Sequence, residues 1–401
     1  MFKDIQSDFP VLNHESLIYL DTAASSLTPL AVIEAMNEYY MHYPVNVHRG
    51  VYQMSYKATN KYYEAREKVA QFIHATFDEI VFTRGASSAL NLVAQSYGLA
   101  NLTKGDEIIV SELEHHSSFL PWLNVAKKTG ATLKFVELDA TGRITVDAFK
   151  AVLSDKTKVV ALTYISNVMG YITPVKEITD LAHEKGAIVS LDAAQAAPHK
   201  KIDVRALDVD FLAFSGHKMC GPTGIGILYG KKKLLKAMEP VEFGGDMNDN
   251  VDKNDALWKD APYKFETGTP PIAEAIGLSA AIDYLEDLGF DAIYTHEKNL
   301  RDYTVDKLKA IDGVTVYNPS AETGIINFNI DDVHPHDAVT AFDQDHIALR
   351  AGHHCAQLII KWLKVPATLR ASFYFYNTIE ECDRFIESVK NARNFFKEVG
   401  F

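Results

Sequence analysis

From about residue 79 to residue 230, short apolar runs alternate with stretches whose apolar residues recur at helical spacing. Residues 79–83 read as a strand and 87–97 as a helix. The same pairing repeats at 107–110 and 119–128, at 133–136 and 146–153, and at 159–164 and 177–185. Two further apolar runs, 187–191 and 210–214, and a last one at 224–229 complete seven strands. Alternation of this kind builds a mostly parallel sheet covered by helices, with ligands bound outside the C-terminal strand ends. Past about residue 272 the pattern changes. Long helical stretches at 271–288 and 292–310 precede short strands at 314–317 and 324–329 and a closing helix at 379–396. The expectation is an α/β protein with a large domain over residues 15–275. A smaller α+β domain takes residues 1–14 and 276–401, and the boundary runs inside a helix rather than a linker.

Composition narrows the class without deciding the chemistry. A chain of 401 residues with 47% hydrophobic and 23% charged residues is that of a soluble globular protein. A formal charge of −13 argues against a nucleic-acid or anionic-membrane surface. No apolar run approaches the roughly 18 residues of a membrane span, and the charged N-terminus is no secretory signal. Cys220, Cys355 and Cys382 are too few and too scattered for a disulfide framework, so a reducing cytoplasm is expected.

The chemistry lies at the strand ends. The run 187–191 ends on Asp192, and the run 210–214 breaks at Ser215-Gly216-His217 and ends on Lys218. A strand-end aspartate followed by a strand-end lysine suits pyridoxal 5'-phosphate. The lysine joins the aldehyde as a Schiff base and the aspartate keeps the pyridine nitrogen protonated. The plain alternative is a surface lysine and a helix-capping aspartate. Gly85-Ala86-Ser87-Ser88 joins a strand to a helix, where backbone N–H groups and hydroxyls make an anion cup. A simple serine N-cap is the competing reading. His115, in Glu114-His115-His116-Ser117, can stack on a ring and carry protons. Asn167 and Gln195 can each reach a phenolic oxygen. Cys355 stands in Arg350-Ala351-Gly352-His353-His354-Cys355-Ala356-Gln357, where cationic neighbours favour a thiolate and the glycine loosens the loop. Contiguous histidines and cysteine lack metal-ligand spacing, so no metal is expected. Arg370 can clamp a carboxylate with both nitrogens of its fork. Cys220 and Cys382 read as inert.

Together these residues resemble the group II, SufS/CsdA-type cysteine desulfurases, PLP enzymes of fold type I within the class V aminotransferases. The likeness covers almost the whole chain, from 19–24 and 46–50 through 114–117, 192–195, 214–219 and 265–270 to 350–357 and 370–377. The run 350–357 is its most specific part. The resemblance implies pyridoxal 5'-phosphate as cofactor, L-cysteine as substrate with L-selenocysteine as the alternative, and a homodimer. It also implies a sulfur-acceptor protein of the SufE or SufU kind. Lys218 would be the Schiff-base lysine and proton shuttle, Asp192 the partner of the pyridine nitrogen, and His115 the stacking ring. Gln195 would bond the phenolic oxygen. Ser87, Ala86, Ser215 and His217 would hold the phosphate, with Thr269 reaching it from the neighbouring subunit. Asn167, Arg370, His48 and Arg350 would bind substrate, and Cys355 would take the sulfur. The chain departs from the family pattern at Ala86-Ser87-Ser88, at Thr22, at Phe243 and at Cys220. None of these removes a catalytic group.

Overall fold

The computed structural model describes residue 2 and residues 4–14 and 17–399. Its centre is a seven-stranded sheet: β1 (Ile80–Thr83), β2 (Glu107–Ser111), β3 (Thr132–Val136), β4 (Thr157–Thr163), β5 (Ile188–Asp192), β6 (Phe211–Ser215) and β7 (Gly226–Gly230). The spatial order is β1-β7-β6-β5-β4-β2-β3, with β7 antiparallel to both neighbours and every other pairing parallel. Central strands are covered on both faces, which is why β5 and β6 are buried at every position and read as continuous apolar runs. The edge strand β3 is largely exposed and carries Lys134, a charge that blunts the edge against pairing with another chain.

Successive residues of these strands point to opposite faces, and each face has its own core. On one side Val81, Ile108, Val110, Val159 and Leu228 pack with Leu90, Val93, Trp122 and Val125. These last come from the helices α1 (Ala86–Val93) and α2 (His116–Thr129). On the other side Val160, Leu162, Leu191, Leu212 and Phe214 pack with Tyr62, Val69, Phe72, Leu278 and Ile282. Gln53–Phe72 and Ile272–Leu288, the helices that supply those partners, lie against one another. In the C-terminal part, strands Val314–Val316, Ile325–Ile330, Thr368–Ser372 and Arg350–Gly352 form an antiparallel sheet in that order. Its core joins Ile326, Phe328, Leu369 and Phe385 to Ile18 and Leu20 from the other end of the chain.

Local differences from the sequence reading have physical causes. The stretch read as one helix over 87–97 is α-helical to Val93 and then widens into a π-turn, Ala94–Gly98. The helix expected from residue 119 begins at His116, because the preceding His115 caps it: its Nδ1 accepts the Ser117 N–H at 3.1 Å. Gln53–Phe72 went unread because its buried stripe includes Ser55, Arg66 and several alanines rather than a clear apolar face.

Candidate active site

The C-terminal ends of β1, β2, β4, β5 and β6 open on one cavity of about 450 Å³. Asp192 is the last residue of β5, pairs in register with Thr163 of β4, and is 5% exposed. Its carboxylate accepts the Ala194 N–H at 3.0 Å. Burial raises its pKa, and the nearby Lys218 opposes that rise. Lys218 follows β6 in a short 3-10 turn, Gly216–Lys218. Lys218 is half-buried, exposed only toward the cavity it lines. This burial holds the amine below lysine's usual range, against the pull of Asp192.

One end of the cavity, lined by Ala86 and Ser87, lies where α1 begins. Gly85, at φ +154°, turns the chain into the helix, and the Ala86 N–H donates to Ser215 Oγ at 2.8 Å. Ser87 Oγ is 2.6 Å from Ser117 Oγ. A Cβ on Gly226 of β7 would stand 2.4 Å from Gly85 Cα, so the turn is pressed against a strand that tolerates only glycine there. His217 also lines the cavity, with its Nδ1 3.4 Å from Ser25 Oγ. His115 lies on the wall. Burial first, then Lys218, His116 and Arg370, push its pKa down to about 3, which leaves a neutral ring.

The C-terminal part supplies the opposite wall. Arg370, mid-strand and 2% exposed, donates from Nη1 to Asn167 O at 3.0 Å. Asn167 in turn donates to His354 O at 2.7 Å. Cys355 is exposed and lines the same cavity. The loop that bears it is pinned rather than loose. His116 N–H donates to Cys355 O at 2.7 Å, Gln357 N–H donates to His116 Nε2 at 3.2 Å, and His354 Nε2 sits 3.1 Å from Thr368 O. His354 and Cys355 both adopt left-handed backbone, at φ +52° and +54°. That conformation costs about 1–2 kcal/mol in each side-chain-bearing residue. His354 is buried, and its pKa is pushed down to about 2 by that burial and by Arg370.

Of the residues expected from sequence, Lys218, Asp192, His115, Gln195, Ala86, Ser87, Ser215, His217, Asn167, Arg350, Arg370 and Cys355 all line this cavity. Two do not. Thr269 faces a neighbouring cavity that shares Ser87 with the first. His48 lines a third, beside Tyr63, Asp246 and Glu266. Sequence reasoning missed Tyr19, Thr163, Thr223 and His354 as lining residues, although Tyr19 lies in the 19–24 stretch it had singled out. The other two cysteines are fully buried. Burial drives the Cys220 thiol far up, and drives Cys382 up to about 12 with help from Glu381, Asp383 and Glu380.

Residues 18–385 match the class-V aminotransferase family model. The chain belongs to the class-V aminotransferase family. A protein of Halalkalibacterium halodurans named probable cysteine desulfurase is 55% identical, over 99% of both chains. Among solved structures, the cysteine desulfurase CsdA of Escherichia coli superposes with a TM-score of 0.93 at 40% identity, covering 98% of this chain and 99% of that one. The cysteine desulfurase of Thermococcus onnurineus gives 0.94 at 41% identity, covering 98% of each.

Proposed function

We infer that the protein is a pyridoxal 5'-phosphate-dependent cysteine desulfurase that removes sulfur from L-cysteine and holds it as a persulfide on Cys355. The observation that carries this reading is one cavity joining a half-buried lysine and a buried aspartate to an exposed cysteine and two arginines. The residues fit the cofactor. Gln195 Oε1 is buried and without a hydrogen-bond partner at the cofactor end, and Arg370 Nε likewise at the substrate end, so each leaves a polar demand for a ligand to meet. The glycine turn before α1 offers helix N–H groups and the Ser87 and Ser215 hydroxyls to a phosphate. Asp192 would pair with the pyridine nitrogen, Lys218 would hold the aldehyde carbon, and neutral His115 would lie against the ring. Once bound, the cofactor supplies an electron sink for the substrate's Cα.

The chain's own residues do the rest. Arg370 binds the substrate carboxylate through its fork and sets the amino acid's orientation. The Lys218 amine, already biased toward its neutral form, takes the Cα proton and returns it. The Cys355 thiolate attacks the substrate sulfur. A new S–S bond forms, the Cβ–S bond breaks, Cβ gains a proton, and alanine leaves. The acceptance of sulfur at an exposed thiol fits onward delivery to an acceptor protein of the SufE or SufU kind, toward iron–sulfur cluster assembly in the cytoplasm. The same pocket would take L-selenocysteine. A plain aminotransferase has no use for Cys355.

The positions of His48 and Thr269 support a homodimer in which each serves the neighbouring subunit's site. Close to His48 in the chain, several large apolar or aromatic side chains are exposed: Val51 is 88% exposed, with Tyr52, Met54 and Tyr56 also exposed, and elsewhere Phe243 is 66% exposed. Among the described residues no helix is long and apolar enough to cross a membrane. Incubation with L-cysteine and a reductant tests the reading. Alanine and sulfide should appear in equal amounts. Pyruvate, or no alanine at all, would overturn it.

A further inference from the structure

Asp21 has no role in the chemistry above, yet it is bonded to both arginines that line the substrate end of the cavity. Arg350 and Arg370 stand directly opposite each other on adjacent antiparallel strands. Like charges in that register repel. Asp21 lies between them. Its backbone bridges to Ser372 beside the same strand, which brings its carboxylate to both guanidinium groups. Arg350 donates from Nη2 to Asp21 Oδ2 at 2.9 Å and from Nε at 3.1 Å. Arg370 donates from Nη2 to Asp21 Oδ1 at 3.2 Å. The adjacent Nε of Arg370 is buried with no partner. The Nε–Nη2 edge of Arg370 is therefore half occupied, and by a carboxylate. The two arginines and Asp21 together leave one positive charge in excess, enough for one substrate carboxylate.

We propose that Asp21 is a placeholder for the substrate carboxylate: it holds the edge of Arg370 when the pocket is empty, cedes it to the incoming amino acid, and stays bound to Arg350. This rests on the reading of Arg370 as the carboxylate clamp. Asp21 is held mainly by Arg350, with three contacts against one, so the longer contact to Arg370 is the one to break. Ceding it removes a competitor from Arg370 and leaves the strand that leads to Cys355 anchored. Asp21 thus sets how tightly the pocket holds one carboxylate, and it takes no part in bond breaking.

The test uses the holoenzyme and its Asp21→Asn and Asp21→Ala variants. L-Alanine and L-alaninamide, which lacks the carboxylate, are titrated while the absorbance of the bound cofactor is followed. Removing the competing charge should tighten L-alanine by about threefold or more in both variants, the scale of one partly exposed charge pair. L-Alaninamide affinity should stay as in the wild type. With L-cysteine, KM should fall in step while kcat does not rise. Equal shifts for both ligands, weaker L-alanine binding, or loss of the cofactor band in both variants would each overturn the proposal. The last follows because Asp21 touches none of the residues assigned to the cofactor. A wild type that releases no alanine from cysteine would instead count against the function itself, whatever the variants do.

Discussion

The two walls of the cavity are built on opposite terms. One is a set of strand ends in a sheet buried on both faces, where Asp192 is paired on either side, Ser215 pairs with Gly226, and Lys218 follows in the short turn after β6. The other is a loop with two consecutive left-handed residues, held by a few hydrogen bonds and open to solvent at Cys355. The difference matches the two tasks. Handling a cofactor requires groups that do not move, set where burial shifts their proton affinities. Handing a sulfur atom to another protein requires a nucleophile that solvent can reach, even at the cost of backbone strain.

The comparison is broken most completely at Lys218. Lys218→Ala should end alanine production altogether, since no other amine takes the Cα proton. It should keep wild-type far-ultraviolet circular dichroism, because the side chain projects into the cavity from a turn rather than filling the core. Wild-type-like alanine release would remove the strand-end wall from the chemistry. Cys355→Ala separates the walls: it should bind L-cysteine with the spectral change of the wild type and yet release no alanine. Turnover retained in that variant would mean that the loop carries no sulfur. Gly226→Ala attacks the fixed wall through shape alone. Its Cβ meets backbone at 2.4 Å, so it should destabilise the protein by about 1–3 kcal/mol in urea denaturation and weaken cofactor retention.

Legibility in the sequence followed the same division. Strands β5 and β6 were readable, with Asp192 ending one and Lys218 three residues past the other, because strands buried on both faces leave unbroken apolar runs. The loop's nucleophile was readable from its neighbours, but the loop's anchoring was not. His116 and Asn167, which pin it, lie 239 and 188 residues away from Cys355 in the chain. Asp21 and Arg350 meet across 329 residues, so nothing local announced their contact. Arg66 hid a helix for a related reason. It reads as a surface charge, but it is fully buried against Glu266, 200 residues on. The π-turn at Ala94–Gly98 has no signature in its residues.

A smaller effect sharpens the comparison through pH. His115 on the fixed wall and His354 in the loop stay neutral in the folded protein down to about pH 3 and about pH 2, whereas an unfolded histidine binds its proton near pH 6.5. Below about pH 6.5 the unfolded chain therefore holds more protons, and stability falls as pH falls. Each histidine adds up to about 1 kcal/mol per pH unit to that slope, after allowance for partial exposure. His115→Gln and His354→Gln should each flatten the acid limb of stability measured by urea denaturation between pH 7 and pH 5. A limb unchanged by both would show that neither histidine is held neutral by burial.

The smallest expected change is at the buried thiols. Cys220→Ala and Cys382→Ala should keep full activity and lose about 1 kcal/mol of stability each. That contrast leads to the most direct measurement of the division of labour between the two walls. Wild-type protein is exposed briefly to L-cysteine, alkylated, digested and examined by mass spectrometry. An added sulfur atom on the peptide carrying Cys355, with Cys220 and Cys382 unmodified, is the predicted result. The added sulfur on Cys220, or on no cysteine while alanine is released, would contradict the account.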